Sequence, residues 1–243
     1  MVKRQQDLTS SINEDINPVA RLRPSAAAER GSETRLVSTA KIVFKRGFDL
    51  IAAVLMLPLA LPLMLFIVLL VKVDSPGPAI FADRRIGQRG REFNCYKFRT
   101  MHRQSDAILE RHLQDNPQSQ KEWEQYAKLK NNDPRVTRSG RWLRKSSLDE
   151  LPQIINVLKG EMSLVGPRPY LPREISAMGP WADTIWLVYP GITGLWQVSG
   201  RNEIDFAGRL ELDARYVRQQ SLGLDISILI RTIPVLINQK GAC

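Results

Sequence analysis

Cysteine and histidine are both scarce in this 243-residue chain, which contains two of each. Cys95 and Cys243 lie far apart in the sequence, so a disulfide framework is not expected and a reducing compartment is favoured. His102 and His112 are not accompanied by cysteine pairs, so a zinc site is not expected either. The sequence therefore predicts a fold that neither disulfides nor zinc hold together.

Charged side chains are absent from one long segment. Between Asp49 and Lys72 there are 22 residues without Asp, Glu, Lys or Arg. As a straight helix this run would be about 33 Å long, enough to cross a hydrocarbon core of roughly 30 Å. It lies behind a charged N-terminal stretch, which is unlike a cleaved signal peptide. The run predicts a membrane helix, with a buried core helix as the alternative.

Pro58 and Pro62 interrupt the middle of this apolar run. Each proline removes a backbone hydrogen-bond donor and crowds the preceding turn, so a kink or break is expected there. Basic residues flank the run at both ends: Lys41, Lys45, Arg46, Lys72, Arg84 and Arg85. Because positive residues mark the cytoplasmic side of a membrane, a re-entrant segment that bends and returns to the same face is favoured over a straight span.

The membrane segment divides the chain into three parts. Residues 1–40 are polar and mixed in charge without useful periodicity, which predicts a disordered cytoplasmic tail. Residues 41–73 form the predicted re-entrant helix, and residues 74–243 form a predicted cytoplasmic domain, which carries the candidate catalytic residues described below.

Within residues 74–243, the apolar pattern predicts both helices and strands. Short apolar runs around a glycine-containing turn predict a hairpin within residues 79–101. Apolar residues at positions 151, 154, 155 and 158 follow the spacing of a helix with one buried face. Trp196 is expected to be a core residue. The predicted fold class is therefore α+β and helix-rich, with short strands.

Basic residues exceed acidic ones, 35 against 25, which gives a net charge of +10. This balance favours anionic partners such as nucleic acid, anionic lipid or phosphorylated substrates. The acidic residues lie among the basic ones, and no recognised nucleic-acid-binding motif is present. Lipid and phosphorylated substrates are therefore the expected partners, and nucleic acid is not.

Two adjacent carboxylates, Asp149 and Glu150, follow Ser147 in the sequence Ser-Leu-Asp-Glu. One interpretation is a helix capping box formed by Ser147 and Glu150. The functional interpretation is that a carboxylate attacks phosphorus and forms an acyl phosphate. A carboxylate is already ionised at neutral pH and needs no general base, which suits a chain with two histidines. The adjacent acid and a divalent cation could orient such a nucleophile.

Basic side chains that suit a phosphate group lie on both sides of the acid pair. Arg168 stands between Pro167 and Pro169, which restrict the backbone around it, and its planar fork matches phosphate oxygens. Lys97 and Arg99 alternate with an aromatic residue and would share one face of a strand. The alternatives are a surface turn with a solvated arginine and a solvated strand face.

Six short motifs occur in a fixed order, at residues 45–49, 97–101, 147–153, 156–169, 190–194 and 200–202. In this combination the chain resembles the bacterial sugar transferase family, the monotopic phosphoglycosyl transferases that start glycan assembly on polyprenol phosphate. The resemblance covers roughly residues 41–240, and the long central motif is its most specific part.

The resemblance implies a two-step reaction on the cytoplasmic face of the inner membrane. Asp149 would attack the β-phosphorus of a UDP-sugar, and undecaprenyl phosphate would then take the phosphosugar in the first step of exopolysaccharide assembly. Glu150 would partner Asp149, and Mg²⁺ would lie beside both acids. The substrate-binding residues that the resemblance implies are Arg168, Pro167, Pro169, Lys97, Arg99 and Arg201.

The expected partners are a UDP-sugar, undecaprenyl phosphate and a lipid bilayer with anionic lipids, while a homo-oligomer is left open. Galactose and glucose are the expected sugars, and the sequence does not discriminate between them. The alternative function is a non-catalytic membrane scaffold for polysaccharide assembly. Such a scaffold would keep the membrane helix but would not need the acid pair, so the presence of both acids argues against it.

Overall fold

The computed structural model describes residues 39–126, 129, 133–200 and 204–238. Residues 1–38 of the predicted tail therefore lie outside the described residues. The helices are α1 (Thr39–Asp74), α2 (Ser105–Asp115), α3 (Pro117–Tyr126), α4 (Arg138–Ser146), α5 (Gln153–Lys159), α6 (Ile175–Met178), α7 (Trp181–Ile185), α8 (Phe206–Gln219) and α9 (Leu222–Asn238). The strands are β1 (Ile80–Ile86), β2 (Glu92–Phe98), β3 (Ser163–Val165) and β4 (Gly191–Thr193). The prediction of a helix-rich α+β fold with short strands is confirmed.

The longest element is α1, with 36 residues. Within the described part of the chain, Val43–Asp74 is the one helix that is long and apolar enough to cross a membrane. Leucine and alanine, which are strong helix formers, dominate its middle. The helix runs across Pro58 and Pro62. The predicted break is therefore not confirmed, and the re-entrant course stays a prediction.

Polar contacts attach the N-terminal part of α1 to the rest of the structure. Asp49 is 1% exposed, and its carboxylate accepts hydrogen bonds from the Ser163 hydroxyl at 2.8 Å and from the Leu164 backbone N–H at 3.2 Å. Lys45 forms ion pairs with Asp49 at 3.6 Å and with Asp225 of α9 at 2.8 Å. Buried carboxylates require partners of this kind, so these contacts fix α1 against β3 and α9.

Apolar and polar contacts also attach the C-terminal part of α1. One apolar cluster, called the α1 cluster below, contains Ile67, Val71, Ala79, Phe98 and Leu143. Asp74 accepts hydrogen bonds from the backbone N–H and the hydroxyl of Ser139, at 2.7 and 2.8 Å. Many apolar side chains on the other faces of α1 are exposed, including Leu59 at 83% and Val73 at 87%. Both ends of α1 thus contact the same compact body, while much of its apolar surface remains uncovered.

The two small sheets differ in direction. β1 and β2 pair antiparallel, with Ile80 opposite Phe98 and Ile86 opposite Glu92, which confirms the predicted hairpin. β3 and β4 pair in parallel. Gly191 lies so close to Gly166 that an added Cβ would stand 2.0 Å from the Gly166 nitrogen, so only glycine allows this approach.

Helix α5 confirms the helix predicted from the apolar spacing between residues 151 and 158, and Asn156 joins it to β2. The side chain of Asn156 accepts a hydrogen bond from the Tyr96 N–H at 3.0 Å and donates one to the Asn94 carbonyl at 2.7 Å. Asn156 is completely buried, so its polar groups have to be satisfied inside the protein. These bonds position β2 beside the residues that precede α5.

Candidate active site

The acid pair lies in a 3₁₀ turn, Leu148–Glu150, between α4 and α5. Ser147 ends α4 in the left-handed region, with φ of 56°, and its backbone N–H bonds to the Arg144 carbonyl. The Ser147 side chain makes no capping hydrogen bond to this turn, so the capping-box interpretation is wrong. The acids lie in this short turn, and α5 begins only at Gln153.

Apolar side chains on either side of the acids hold this turn in place. Leu148 and Leu151 pack against the α1 cluster. Because the two leucines flank the acids directly in the sequence, their burial fixes the backbone that carries Asp149 and Glu150. The acid pair is thereby positioned next to α1 and to the end of β2.

Lys97 near the end of β2 pairs with Glu150. The Lys97 Nζ to Glu150 Oε1 distance is 2.7 Å, and the two side chains are 25% and 33% exposed. Burial opposes the charge on each partner, but the attraction between them outweighs it. The pKa of Glu150 is therefore lowered and the pKa of Lys97 is raised. Both groups are charged at neutral pH.

The pKa of Asp149 is shifted in the opposite direction to that of Glu150. Burial and the neighbouring charge of Glu150 raise the pKa of Asp149 to about 6, while Lys97 and Arg144 oppose the rise. Arg144 is held near the acids because its Nε donates to the Thr100 hydroxyl at 2.9 Å. At neutral pH Asp149 is thus mostly ionised but more basic than an ordinary aspartate, which suits a nucleophile.

The backbone groups of the loop Pro167-Arg168-Pro169 are held by hydrogen bonds to both backbone and side-chain partners. The Pro167 carbonyl accepts from the Gly191 N–H at 2.8 Å, and the Pro169 carbonyl accepts from Arg85 Nη1 at 2.9 Å. The Arg168 N–H donates to a carboxylate oxygen of Asp213 at 3.0 Å. The loop is therefore fixed before any ligand binds.

Asp213 of α8 was not among the sequence predictions, although it supports this loop. It is completely buried, and the same oxygen that binds the Arg168 N–H also accepts from the Tyr170 hydroxyl at 2.8 Å. Burial raises the pKa of Asp213 to about 7. The signal in the sequence is a carboxylate on the apolar face of an amphipathic helix, beside the buried Leu210 and Ala214.

The Arg168 side chain connects the loop with the acid pair. Its guanidinium lies over the Trp196 ring, 5.8 Å from the centroid, and its positive charge, after that of Lys97, helps to lower the pKa of Glu150. Trp196 is 8% exposed, so its expected place in the core is confirmed. Of the sequence-predicted residues, the structure brings together Asp149, Glu150, Lys97 and Arg168.

The remaining basic residues have different positions. Arg99 donates to the Pro76 carbonyl at 3.1 Å and to the Ser75 carbonyl, so its guanidinium lies at the turn that follows α1. A role for Arg99 in donor binding stays a prediction. Arg201 lies outside the described residues.

The acid pair has the composition of a partial Mg²⁺ site. Within the described residues there is no group of three or more metal-ligating side chains. Mg²⁺, however, commonly uses one or two carboxylates together with substrate phosphates. Asp149 and Glu150 fit that pattern, and Asp149 forms no ion pair with a described residue at the distance of a salt bridge. The binding of Mg²⁺ by these acids stays a prediction.

The chain is similar to proteins from several bacteria. It is 46% identical over 198 residues to the exopolysaccharide production protein ExoY of Rhizobium meliloti, covering 82% of this chain and 87% of that protein. It is 44% identical over 210 residues to the undecaprenyl-phosphate galactose phosphotransferase of Salmonella typhimurium, covering 86% of this chain. It is 40% identical over 223 residues to the undecaprenyl-phosphate glucose phosphotransferase of Komagataeibacter xylinus, covering 86% of this chain.

Several of these relatives are longer proteins. The chain spans 44% of the Salmonella protein and 39% of the Komagataeibacter protein. Residues 40–239 match the family described as bacterial sugar transferase. This match includes the acid pair, the Pro-Arg-Pro loop and α1 from its second residue onward. The chain therefore belongs to the bacterial sugar transferase family.

Proposed function

We propose that the protein transfers a hexose 1-phosphate, galactose or glucose, from a UDP-sugar to undecaprenyl phosphate as the first step of exopolysaccharide assembly. The observation that carries the proposal is the pair of acids with divided roles. Glu150 is held ionised by Lys97, whereas Asp149 has a raised pKa of about 6 and no salt bridge within the described residues. Two relatives are named as undecaprenyl-phosphate sugar phosphotransferases, which supports the same reaction.

In the first step, an Asp149 carboxylate oxygen attacks the β-phosphorus of the UDP-sugar. The bond between this phosphorus and the bridging oxygen breaks, and UMP leaves with the electron pair. The sugar phosphate remains bound to Asp149 as an acyl phosphate. Lys97 and Arg168 are positioned to offset the negative charge at this site, which is the usual way in which proteins assist phosphoryl transfer.

In the second step, a phosphate oxygen of undecaprenyl phosphate attacks the same phosphorus. The bond to Asp149 breaks, which regenerates the carboxylate and leaves the sugar on an undecaprenyl diphosphate. Both nucleophiles are anions, so neither step requires a general base. Asp149 and Glu150 would hold Mg²⁺, which when bound neutralises charge on the phosphates.

We also propose that α1 lies in the inner leaflet of the inner membrane as a re-entrant helix, with the acid pair on the cytoplasmic side. Both ends of α1 contact the same compact body, through Asp49 near one end and Asp74 near the other. A straight span would place those ends on opposite membrane faces. Exposed apolar residues also line α9, including Ile230 at 61%, which suits a helix at the lipid surface.

The reaction is tested by mass spectrometry of the intact protein and by UMP release. With Mg²⁺ and UDP-galactose or UDP-glucose but no lipid acceptor, we expect one UMP per protein and a mass increase of one hexose phosphate. Undecaprenyl phosphate should then remove the added mass. Asp149→Asn should abolish both signals, while Asp115→Asn, which changes an exposed acid on α2, should leave them intact. UMP release by Asp149→Asn at the wild-type rate would remove Asp149 from the mechanism.

The membrane course is tested by cysteine labelling. In a background that carries Cys95→Ala and Cys243→Ala, Val43→Cys and Val73→Cys each place a single thiol at an exposed position near one end of α1. In inside-out vesicles, a membrane-impermeant maleimide should label both positions if α1 is re-entrant. Labelling of one position in inside-out vesicles and of the other only in right-side-out vesicles would instead establish a straight span.

A further inference from the structure

Two arginines from different parts of the chain lie against the ring of Trp196. Arg168 comes from the Pro-Arg-Pro loop and lies 5.8 Å from the ring centroid, and Arg209 comes from the first turn of α8 and lies 4.4 Å from it. Two like charges at one aromatic ring repel each other. Such an arrangement is favourable when an anion neutralises both.

Three buried side-chain donor atoms of this cluster have no hydrogen-bond partner among the described residues. The buried Nε atoms of Arg168 and Arg209 and the buried Trp196 Nε1 form no hydrogen bond with any described group. Nor does either guanidinium form a salt bridge within the described part of the chain. Buried donors are nearly always satisfied in folded proteins, so this set indicates a site for an acceptor-rich ligand.

Two carboxylates, Asp213 and Glu174, act on this cluster, and they neutralise it only in part. One oxygen of Asp213 is occupied by the Arg168 N–H and the Tyr170 hydroxyl, and the other has no hydrogen-bond partner within the described residues. Because burial raises the pKa of Asp213 to about 7, part of the population is neutral at pH 7. The pKa of Arg168 is lowered by burial and by the positive charges of Arg85 and Arg209, and the charge of Glu174 only partly opposes this, so the cluster keeps a net attraction for an anion.

We propose that Arg209 and Trp196 complete, with Arg168, a second phosphate subsite beside the acid pair. The proposal rests on the proposed function for the identity of its ligand. Guanidinium forks and an indole N–H can together meet several oxygens of one phosphate group. That group belongs either to the diphosphate of the UDP-sugar or to the lipid acceptor, and the following experiment distinguishes the two.

The experiment measures binding without turnover, using the full chain in detergent and three ligands: UDP, uridine and undecaprenyl phosphate. For Arg209→Gln we expect UDP affinity to fall by about 10-fold or more, the usual scale for a charge-assisted hydrogen bond. Uridine has no phosphate, so its affinity should not change. Arg215→Gln is the matched control, because it removes an exposed arginine from the same helix and should leave UDP binding as in the wild type.

Two further variants separate ligand binding from folding. Arg209→Lys keeps the charge but loses the planar fork, so it should lose less UDP affinity than Arg209→Gln. Trp196→Phe keeps a ring but removes the indole N–H, and it should also weaken UDP binding. The melting temperatures of the two Arg209 variants without ligand should stay close to that of the wild type, and unchanged uridine binding should show that Trp196→Phe, at a buried ring, is folded.

Each outcome has a distinct meaning. A loss confined to undecaprenyl phosphate would support the subsite and assign it to the acceptor. Unchanged binding of both phosphate ligands by Arg209→Gln, or an equal loss in Arg215→Gln, would overturn the proposal. If Arg209→Gln loses UDP binding while the wild type releases no UMP, the subsite stands and the proposed transfer reaction is wrong.

Discussion

Replacing Lys97 by methionine removes the ammonium group that pairs with Glu150 and keeps an unbranched side chain. Lys97 Nζ lies 2.7 Å from Glu150 Oε1, and the side chains are 25% and 33% exposed. At this distance an effective dielectric constant of about 20 gives an attraction of about 6 kcal/mol. Because solvent reaches a quarter to a third of each side chain, screening reduces the net value to about 1.5–3 kcal/mol, the range for hydrogen bonds to charged groups.

Loss of this attraction removes the main positive charge that neutralises Glu150 beside Asp149. If the transition state depends on the neutralised pair, kcat/KM for UMP release should fall by about 10- to 150-fold, the same free energy expressed as a rate ratio. The acid limb of the pH profile should move to higher pH, because Lys97 opposes the rise in the pKa of Asp149. Lys97→Arg keeps the charge and should retain more activity than Lys97→Met.

The assay is the initial rate of UMP release at pH values on both sides of the Asp149 pKa of about 6. Lys159→Met is the matched control, because Lys159 forms an ion pair with Glu161 at 3.0 Å outside the acid turn. The control should keep the wild-type rate and pH profile. If Lys97→Met behaves like the wild type, or if Lys159→Met loses as much activity, the assigned role of Lys97 is refuted.

Three further predictions test other parts of the structure. UMP release by the unmodified protein should decline as the pH falls through about 6, because Asp149 takes up a proton there; a pH profile that stays flat through this range would contradict the assignment. Lys45→Met should lower the free energy of unfolding by about 3–5 kcal/mol, since it leaves the buried carboxylate of Asp225 unpaired; thermal melts in detergent should show partial recovery when Asp225→Asn is added. Gly140→Ala should lower the melting temperature strongly, because the added Cβ would stand 2.1 Å from the Thr100 carbonyl oxygen. Gly47→Ala is the control and should leave the melting temperature unchanged, because no atom lies within 4 Å of its added Cβ.

Local patterns were sufficient to predict several elements of the fold. The β1–β2 hairpin followed from two short apolar runs around a glycine turn, and α5 followed from apolar residues at helical spacing. The uncharged run after Asp49 predicted the central part of α1. These elements can be predicted from the sequence because each depends on residues that are close together in the chain.

The site depends on contacts between distant residues, and sequence reasoning found it only in part. Lys97 and Arg168 were proposed as substrate ligands, but neither the Lys97–Glu150 ion pair nor the support of Arg168 by Asp213 has a local signature. The geometry of the acid turn was missed because Ser147 adopts a left-handed conformation, which residue type alone does not predict. The stacking of Arg209 on Trp196 was missed because, like the Lys97–Glu150 ion pair, it joins residues that are distant in the sequence.

The attachment of α1 at both ends has a consequence for how the lipid acceptor reaches Asp149. Lys45 and Asp49 attach one end, and Asp74 attaches the other, so these contacts oppose a movement of α1 relative to the body that carries the acids. With α1 in the inner leaflet, as proposed, the depth of the acid pair relative to the lipid head groups is constant. The phosphate of a membrane-bound acceptor already travels at nearly constant depth. Its encounter with Asp149 is therefore a search in two dimensions, governed by lateral diffusion in the leaflet.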